Sequence, residues 1–155
     1  MFKEFLEHYK KIFSFPNHNS LHQPAFFTWN DQLYRNFMIE MLGQLEPRHE
    51  FKDVVLFEEQ DEVNEVIFFN NGTYEVGFEI NRTKEFVLRY KNCNLIGAYG
   101  VTFNKRSHFV YKTFTDCEGF FIRREAWKGL IDNNPEVSQH LVEQVKEEYD
   151  RTTMN

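Results

Sequence analysis

Between Phe51 and Ile122 the apolar residues repeat every second position, whereas on either side they repeat every three or four. This switch of period constrains the fold more than any other feature. Short apolar runs arrive about every ten residues: Val54 to Phe57, Val66 to Phe69, Tyr74 to Ile80, Phe86 to Tyr90, Phe109 to Thr113 and Gly119 to Ile122. The rhythm predicts an antiparallel β domain. Asn71-Gly72 is the dipeptide of a type I′ turn and predicts a hairpin between the runs beside it. After it, Tyr74, Val76, Phe78 and Ile80 alternate with Glu75, Gly77 and Glu79, which predicts one packed face and one wet face. Asn71-Gly72-Thr73 and Asn81-Arg82-Thr83 also fit the glycosylation sequon and are read as turn chemistry.

Helical spacing brackets this region. Phe2, Phe5, Leu6, Tyr9 and Phe13 predict a short amphipathic helix from Phe2 to Phe15, stopped by Pro16, and Asn17 to Pro24 reads as a polar connector. Thr28-Trp29-Asn30 supplies a cap for a second helix, in which Leu33, Phe37, Met38, Met41, Leu42 and Leu45 recur until Pro47. Beyond the β region, Trp127, Leu130 and Ile131 predict a helix over Arg124 to Ile131. Val137, Leu141, Val145 and Tyr149 recur every four residues in another, over Pro135 to Tyr149, with Pro135 in its first turn. A chain of 155 residues, 41% hydrophobic and with eighteen Phe, has material for one packed core.

Several function classes are argued against. Twenty-four acidic against eighteen basic residues leave a charge of −6, which disfavours a nucleic-acid surface. Cys93 and Cys117 form no CxxC pair and suggest neither zinc nor a disulfide framework, which fits a reduced, intracellular setting. No apolar run is long enough to span a bilayer, and the charged N-terminus does not resemble a signal peptide. GxSxG, HExxH and P-loop motifs are absent, so no enzyme is read. His18 and His22 lie in the Pro-flanked connector without a third ligand and read as surface residues. The acidic run Glu58, Glu59, Asp61, Glu62 and Glu65 lacks the EF-hand pattern and reads as a solvated loop between strands. Lys105-Arg106-Ser107 reads as a polar loop tip, with a phosphorylation site or an anion contact as the alternatives.

The block from Glu65 to Val76 resembles the strand, turn, strand core of the cyclic-nucleotide-binding domain family. Ile96-Gly97-Ala98 with Arg106-Ser107 sits where that family carries its phosphate-binding cassette. Cys117, the strand Gly119 to Arg123, Trp127 and the Pro135 helix resemble its last strand and following helices. More closely, Leu45 to Arg48, Glu75 to Asn81, Ile96 to Tyr99 and Gly119 to Arg124 resemble the cytoplasmic domains of ciliate-type voltage-gated cation channels, chiefly potassium channels. The likeness implies an antiparallel, jelly-roll-like β-roll with N-terminal helices and two C-terminal helices. It implies a domain over residues 28–150, preceded by 1–27 as the end of a channel linker and followed by a tail at 151–155.

The resemblance also implies a site and its departure. Ligand-binding members place a Glu after Phe-Gly, where it accepts the ribose hydroxyl, and an Arg nine residues later, where it pairs with the cyclic phosphate. Here those positions are Ala98 and Ser107. Arg106 stands one residue early, which in a regular strand turns it to the opposite face. The cassette residues are therefore Gly97, Ala98, Tyr99, Arg106, Ser107 and His108, with weak or no binding of cAMP or cGMP, no other cofactor and no metal expected. Tyr99 and Phe103 are expected to fill the space of a nucleotide. The implied function is a non-catalytic regulatory module of a cytoplasmic channel face, with pore or linker segments as partners in a homotetramer and the C-terminal helix docking over the roll. Two alternatives are a genuine cyclic-nucleotide or other anion sensor using Arg106, Ser107, His108 and the Gly97 turn, and a stand-alone interaction domain with a Phe-rich surface.

Overall fold

The computed structural model describes residues 10–15, 26–91 and 94–154. The elements run α1 (Gln32–Gln44), β1 (Glu46–Glu50), β2 (Val55–Phe57), β3 (Glu65–Asn71), β4 (Thr73–Ile80), β5 (Thr83–Lys91), α2 (Ala98–Phe103), β6 (Val110–Thr113), β7 (Cys117–Arg123), α3 (Arg124–Asn133) and α4 (Pro135–Met154). The chain divides into a β unit, Leu45–Arg124, and a helical unit built from the segments on either side. His18, His22, Cys93, the Asn17 to Pro24 connector and most of the expected Phe2 to Phe15 helix lie outside the described residues. That helix is seen only in its last turn, which includes Lys10 to Ile12.

In the β unit all strand pairs are antiparallel and form two sheets, ordered β1-β7-β3 and β2-β6-β4-β5. This is the expected β-roll, and its interior is filled by buried Val66, Phe68, Phe69, Val76, Val110 and Ile122. β1 was not expected, because Glu46-Pro47-Arg48-His49-Glu50 has no apolar period. As an edge strand it tolerates Pro47. Ion pairs also hold it: Arg123 Nε donates to Glu46 Oε2 at 2.7 Å, and Arg48 joins Glu50 and Glu65. The Arg123 guanidinium holds the Glu46 carboxyl below its ordinary value.

The hairpin expected at Asn71-Gly72 is not formed. β3 ends there in the three-stranded sheet and β4 begins in the other, so the dipeptide carries the chain between sheets. Gly72 has φ +113, and a Cβ on it would stand 2.6 Å from both the Asp116 carbonyl and the Cys117 sulfur. The glycine is required by close approach, not by a two-residue turn. The two-residue hairpin lies at Asn81-Arg82, whose φ values of 51° and 66° are those of a type I′ turn between β4 and β5.

The alternation expected along β4 also fails at both ends. Glu75 is buried, and both cross-strand neighbours bring cations to it: Arg89 Nη2 donates at 2.8 Å and Lys112 Nζ lies at 3.9 Å. Arg89 in turn covers the Phe114 ring at 3.6 Å and Lys112 the Phe86 ring at 4.5 Å. Beyond the bulge between Val76 and Gly77, Ile80 is exposed. A bulge resets which side chains face inward.

The helical unit is aromatic. Tyr34 and Phe37 of α1 pack with Phe13 and Phe15, while Leu33, expected inside, is exposed. Tyr34 Oη donates to the Phe13 carbonyl at 2.7 Å, and burial pushes its phenol up to about 12. Asp31 closes the start of α1 by accepting from the Thr28 amide at 2.6 Å. Trp127 and Leu130 of α3 and Val137, Leu141 and Val145 of α4 are buried as expected. Within this unit α4 meets the N-terminal segment: His140 stacks on Phe15, and Gln144 Nε2 donates to the Ile12 carbonyl at 2.9 Å. α4 runs through to Met154, past the boundary expected for a tail.

Candidate functional site

The cassette segment is built around α2. Gly97 precedes the helix with φ 85°, a left-handed conformation. A Cβ there would meet the Glu65 carbonyl at 2.8 Å and Val63 at 2.9 Å, and one on Gly100 would meet Val63 at 2.8 Å. These glycines let a short helix lie against the segment that leads into β3. Ile96 locks the same contact by exchanging two backbone hydrogen bonds with Ile67, at 2.7 and 2.9 Å. Asn104 ends the helix, also left-handed, and both its amide and that of Lys105 donate to the Gly100 carbonyl.

The structure places the expected cassette residues on α2, on the glycine before it and in the loop that follows it. Ala98 is buried and offers no acceptor side chain. Tyr99 is half-buried and its ring lies 5.0 Å from that of Phe103 on the same helix. Arg106 points along the loop between β2 and β3: Nη1 donates to the Gln60 carbonyl at 2.9 Å and Nη2 lies 3.4 Å from Glu62. Ser107 is buried, with its hydroxyl donating to the Phe109 carbonyl at 2.7 Å. Its backbone bonds to the same β2–β3 loop, donating to the Asp61 carbonyl at 3.0 Å and accepting from the Gln60 amide at 2.7 Å. His108 is exposed beside it.

The β2–β3 loop is the part of the site that sequence reasoning missed. Glu58 to Glu62 lie in the loop as expected, whereas Glu65 opens β3 and pairs with Arg48; the loop's role as partner of Arg106 and Ser107 was not legible. Gln60 is left-handed, at φ 68°, and Asp61 closes the turn by accepting from the Glu58 amide at 2.9 Å. The far end is clamped by Arg124, which donates to the Val63 carbonyl at 3.1 Å and to Asn104 Oδ1 at 2.6 Å. Glu58 pairs with Lys84 at 2.9 Å and raises its ammonium above the usual lysine range. The expected departure from the ligand-binding pattern is thus accompanied by a loop and cassette that satisfy each other. Among the described residues, no cluster of three or more His, Cys, Asp or Glu could hold a metal.

No protein-family model matches the chain, and no curated protein matches it. Solved structures do. The catabolite activator protein of Thermus thermophilus superposes with a TM-score of 0.65 at 12% identity, covering 81% of this chain and 59% of that one. The regulatory domain of Toxoplasma gondii PKA, solved with cAMP, gives a TM-score of 0.60 at 11% identity over 68% of this chain and 40% of that one. The c-di-GMP-responsive global regulator CLP of Xanthomonas campestris gives 0.60 at 15% identity over 77% and 61%. This chain therefore spans 40 to 61% of the length of these three solved chains. Its two antiparallel sheets, with helices before and after them in the chain, have the cyclic-nucleotide-binding-domain fold of these structures. No described helix is long and apolar enough to cross a membrane.

Proposed function

We propose that this chain is a non-catalytic regulatory module of a cation channel, of the potassium type, in which the nucleotide cassette has become a structural joint with weak or no affinity for cAMP or cGMP. The observation that carries the reading is the state of the cassette. Ala98 has no acceptor for a ribose hydroxyl, the Ser107 hydroxyl is spent on Phe109, and the Arg106 guanidinium is spent on Gln60 and Glu62. Charge-assisted hydrogen bonds are worth about 1.5 to 3 kcal/mol each, so a cyclic phosphate that finds neither carboxylate nor free guanidinium loses most of its anchoring. A sensor anchored on Arg106 would compete with Gln60 and Glu62 for its guanidinium. The channel setting rests on the resemblance of Leu45 to Arg48, Glu75 to Asn81, Ile96 to Tyr99 and Gly119 to Arg124. In that setting the module works at the cytoplasmic face, contacts linker or pore segments and assembles as four copies.

A Phe-rich interaction surface is less well supported. Among the described residues Phe13, Phe15, Phe37, Phe57, Phe68 and Phe69 are buried, and of the exposed rings Phe26 lies in the helical unit while Phe51 and Phe114, the latter covered by Arg89, lie in the β unit.

Isothermal titration calorimetry with cAMP and with cGMP tests the reading. Silence up to about 1 mM is expected, and binding tighter than about 100 μM that vanishes in Arg106→Ala would make Arg106 the phosphate anchor and sink it.

A further inference from the structure

We propose that the elbow between α3 and α4 is a docking groove for a basic peptide segment carrying apolar side chains. The groove lies wholly within the helical unit and has a volume of about 540 Å³. Its lining is apolar at Ile131, Pro135 and Val142. At its floor stands Ser138, 1% exposed, whose hydroxyl has no hydrogen-bond partner. A helical serine ordinarily returns its hydroxyl to the carbonyl four residues back, and here that carbonyl, of Asn134, receives the Ser138 amide alone. That hydroxyl is itself closed to solvent, so the groove above it is read from its apolar lining and its charge.

Charge selects the guest. Asp132 and Glu143 also line the groove, neither is in an ion pair among the described residues, and no cationic side chain lines it. The whole chain is at −6, so an anionic ligand or an acidic segment is repelled there while a basic one is steered in. Apolar side chains of the guest would cover Ile131, Pro135 and Val142, and its Lys or Arg would meet Asp132 and Glu143. This depends on neither the cassette nor the channel assignment.

The test uses the full chain and a labelled peptide of about twelve residues built from Lys and Leu at helical spacing, with its Glu-for-Lys counterpart as control. Fluorescence anisotropy is expected to give saturable binding of the basic peptide alone. Backbone amide shifts are expected to concentrate between Ile131 and Glu143. Asp132→Asn with Glu143→Gln, both at exposed positions, is expected to weaken binding roughly tenfold with unchanged circular dichroism. Ser138→Ala, which removes an unpaired hydroxyl sealed beneath the groove, is expected to leave binding unchanged and the fold at least as stable. Absence of saturable binding up to about 1 mM overturns the proposal. So does unchanged affinity in the double variant, a shift pattern centred on residues 58–65, or self-association that places a second copy in the groove.

Discussion

The Arg106 guanidinium donates to the Gln60 carbonyl at 2.9 Å, so the arginine of the cassette is bound to the loop that packs against the cassette. Both groups lie at the surface, and Arg106→Ala is expected to cost no more than about 1 kcal/mol in urea unfolding. Ser107→Ala should cost more, roughly 1 to 3 kcal/mol, because it strips the Phe109 carbonyl of a buried donor. A reversed ranking would mean that Arg106, not Ser107, fastens the two loops.

Two glycines should respond in opposite directions to the same substitution. At Gly77 a Cβ would stand 2.0 Å from the Glu85 carbonyl across the β4–β5 bulge, so Gly77→Ala must break that bulge and should cost more than about 3 kcal/mol or prevent folding. Gly129, inside α3, has nothing within 4 Å of such a Cβ, and Gly129→Ala should stabilise by about 0.5 to 1 kcal/mol. Equal effects from the two, by chemical denaturation, would contradict the close approach at the bulge.

Thr113 ties the β1–β2 connection to β6. Its hydroxyl donates to the Phe51 carbonyl at 2.7 Å and accepts from the Val54 amide at 2.8 Å, and the residue is fully buried. Thr113→Val keeps the shape but orphans both groups, with an expected loss of roughly 1 to 3 kcal/mol. Hydrogen exchange should show the Val54 amide losing protection first.

Burial raises the Glu148 carboxyl above its ordinary value of 4.5, with Arg151 drawing it partly back. The folded chain therefore holds this proton more tightly than the unfolded one. Stability from this group is full below the ordinary carboxylate value and declines as pH rises through the raised one. Glu148→Gln, which stays neutral, should raise the melting temperature by a few degrees at pH 7 and change it little near pH 4. Equal shifts at both pH values would show that Glu148 acts by packing alone.

Most of the fold was legible because short apolar runs mark strands, as at Val54 to Phe57 and Gly119 to Ile122, and because Phe86, Leu88 and Tyr90 alternate with exposed neighbours where one face of β5 is packed. β1 was hidden because its strand character lies in partners rather than in its own residues: Glu46 and Arg48 are held by Arg123 and Glu65, far along the chain. Asn71-Gly72 misled because a left-handed glycine serves a crossover between sheets as well as it serves a hairpin, and only the position of β6 and β7 decides between them. Asn81-Arg82 carried the turn with a weaker local signal, since asparagine tolerates left-handed backbone and the strands supply the rest. At the site, that positions 98 and 107 hold Ala and Ser, with neither a carboxylate nor a guanidinium, could be read directly. That the acidic run from Glu58 would supply the partners of Arg106 and Ser107 could not, because the contact spans more than forty residues and depends on two loops meeting at one end of the roll.

The most direct test of the account is site-resolved. Backbone amide resonances of Gly97 to Phe103 and of Arg106 to His108 are followed by NMR as cAMP and then cGMP are added to the full chain. The account predicts no saturable shift at these amides up to millimolar nucleotide. Saturable shifts confined to them, lost in Arg106→Ala, would contradict it and restore a ligand to the cassette.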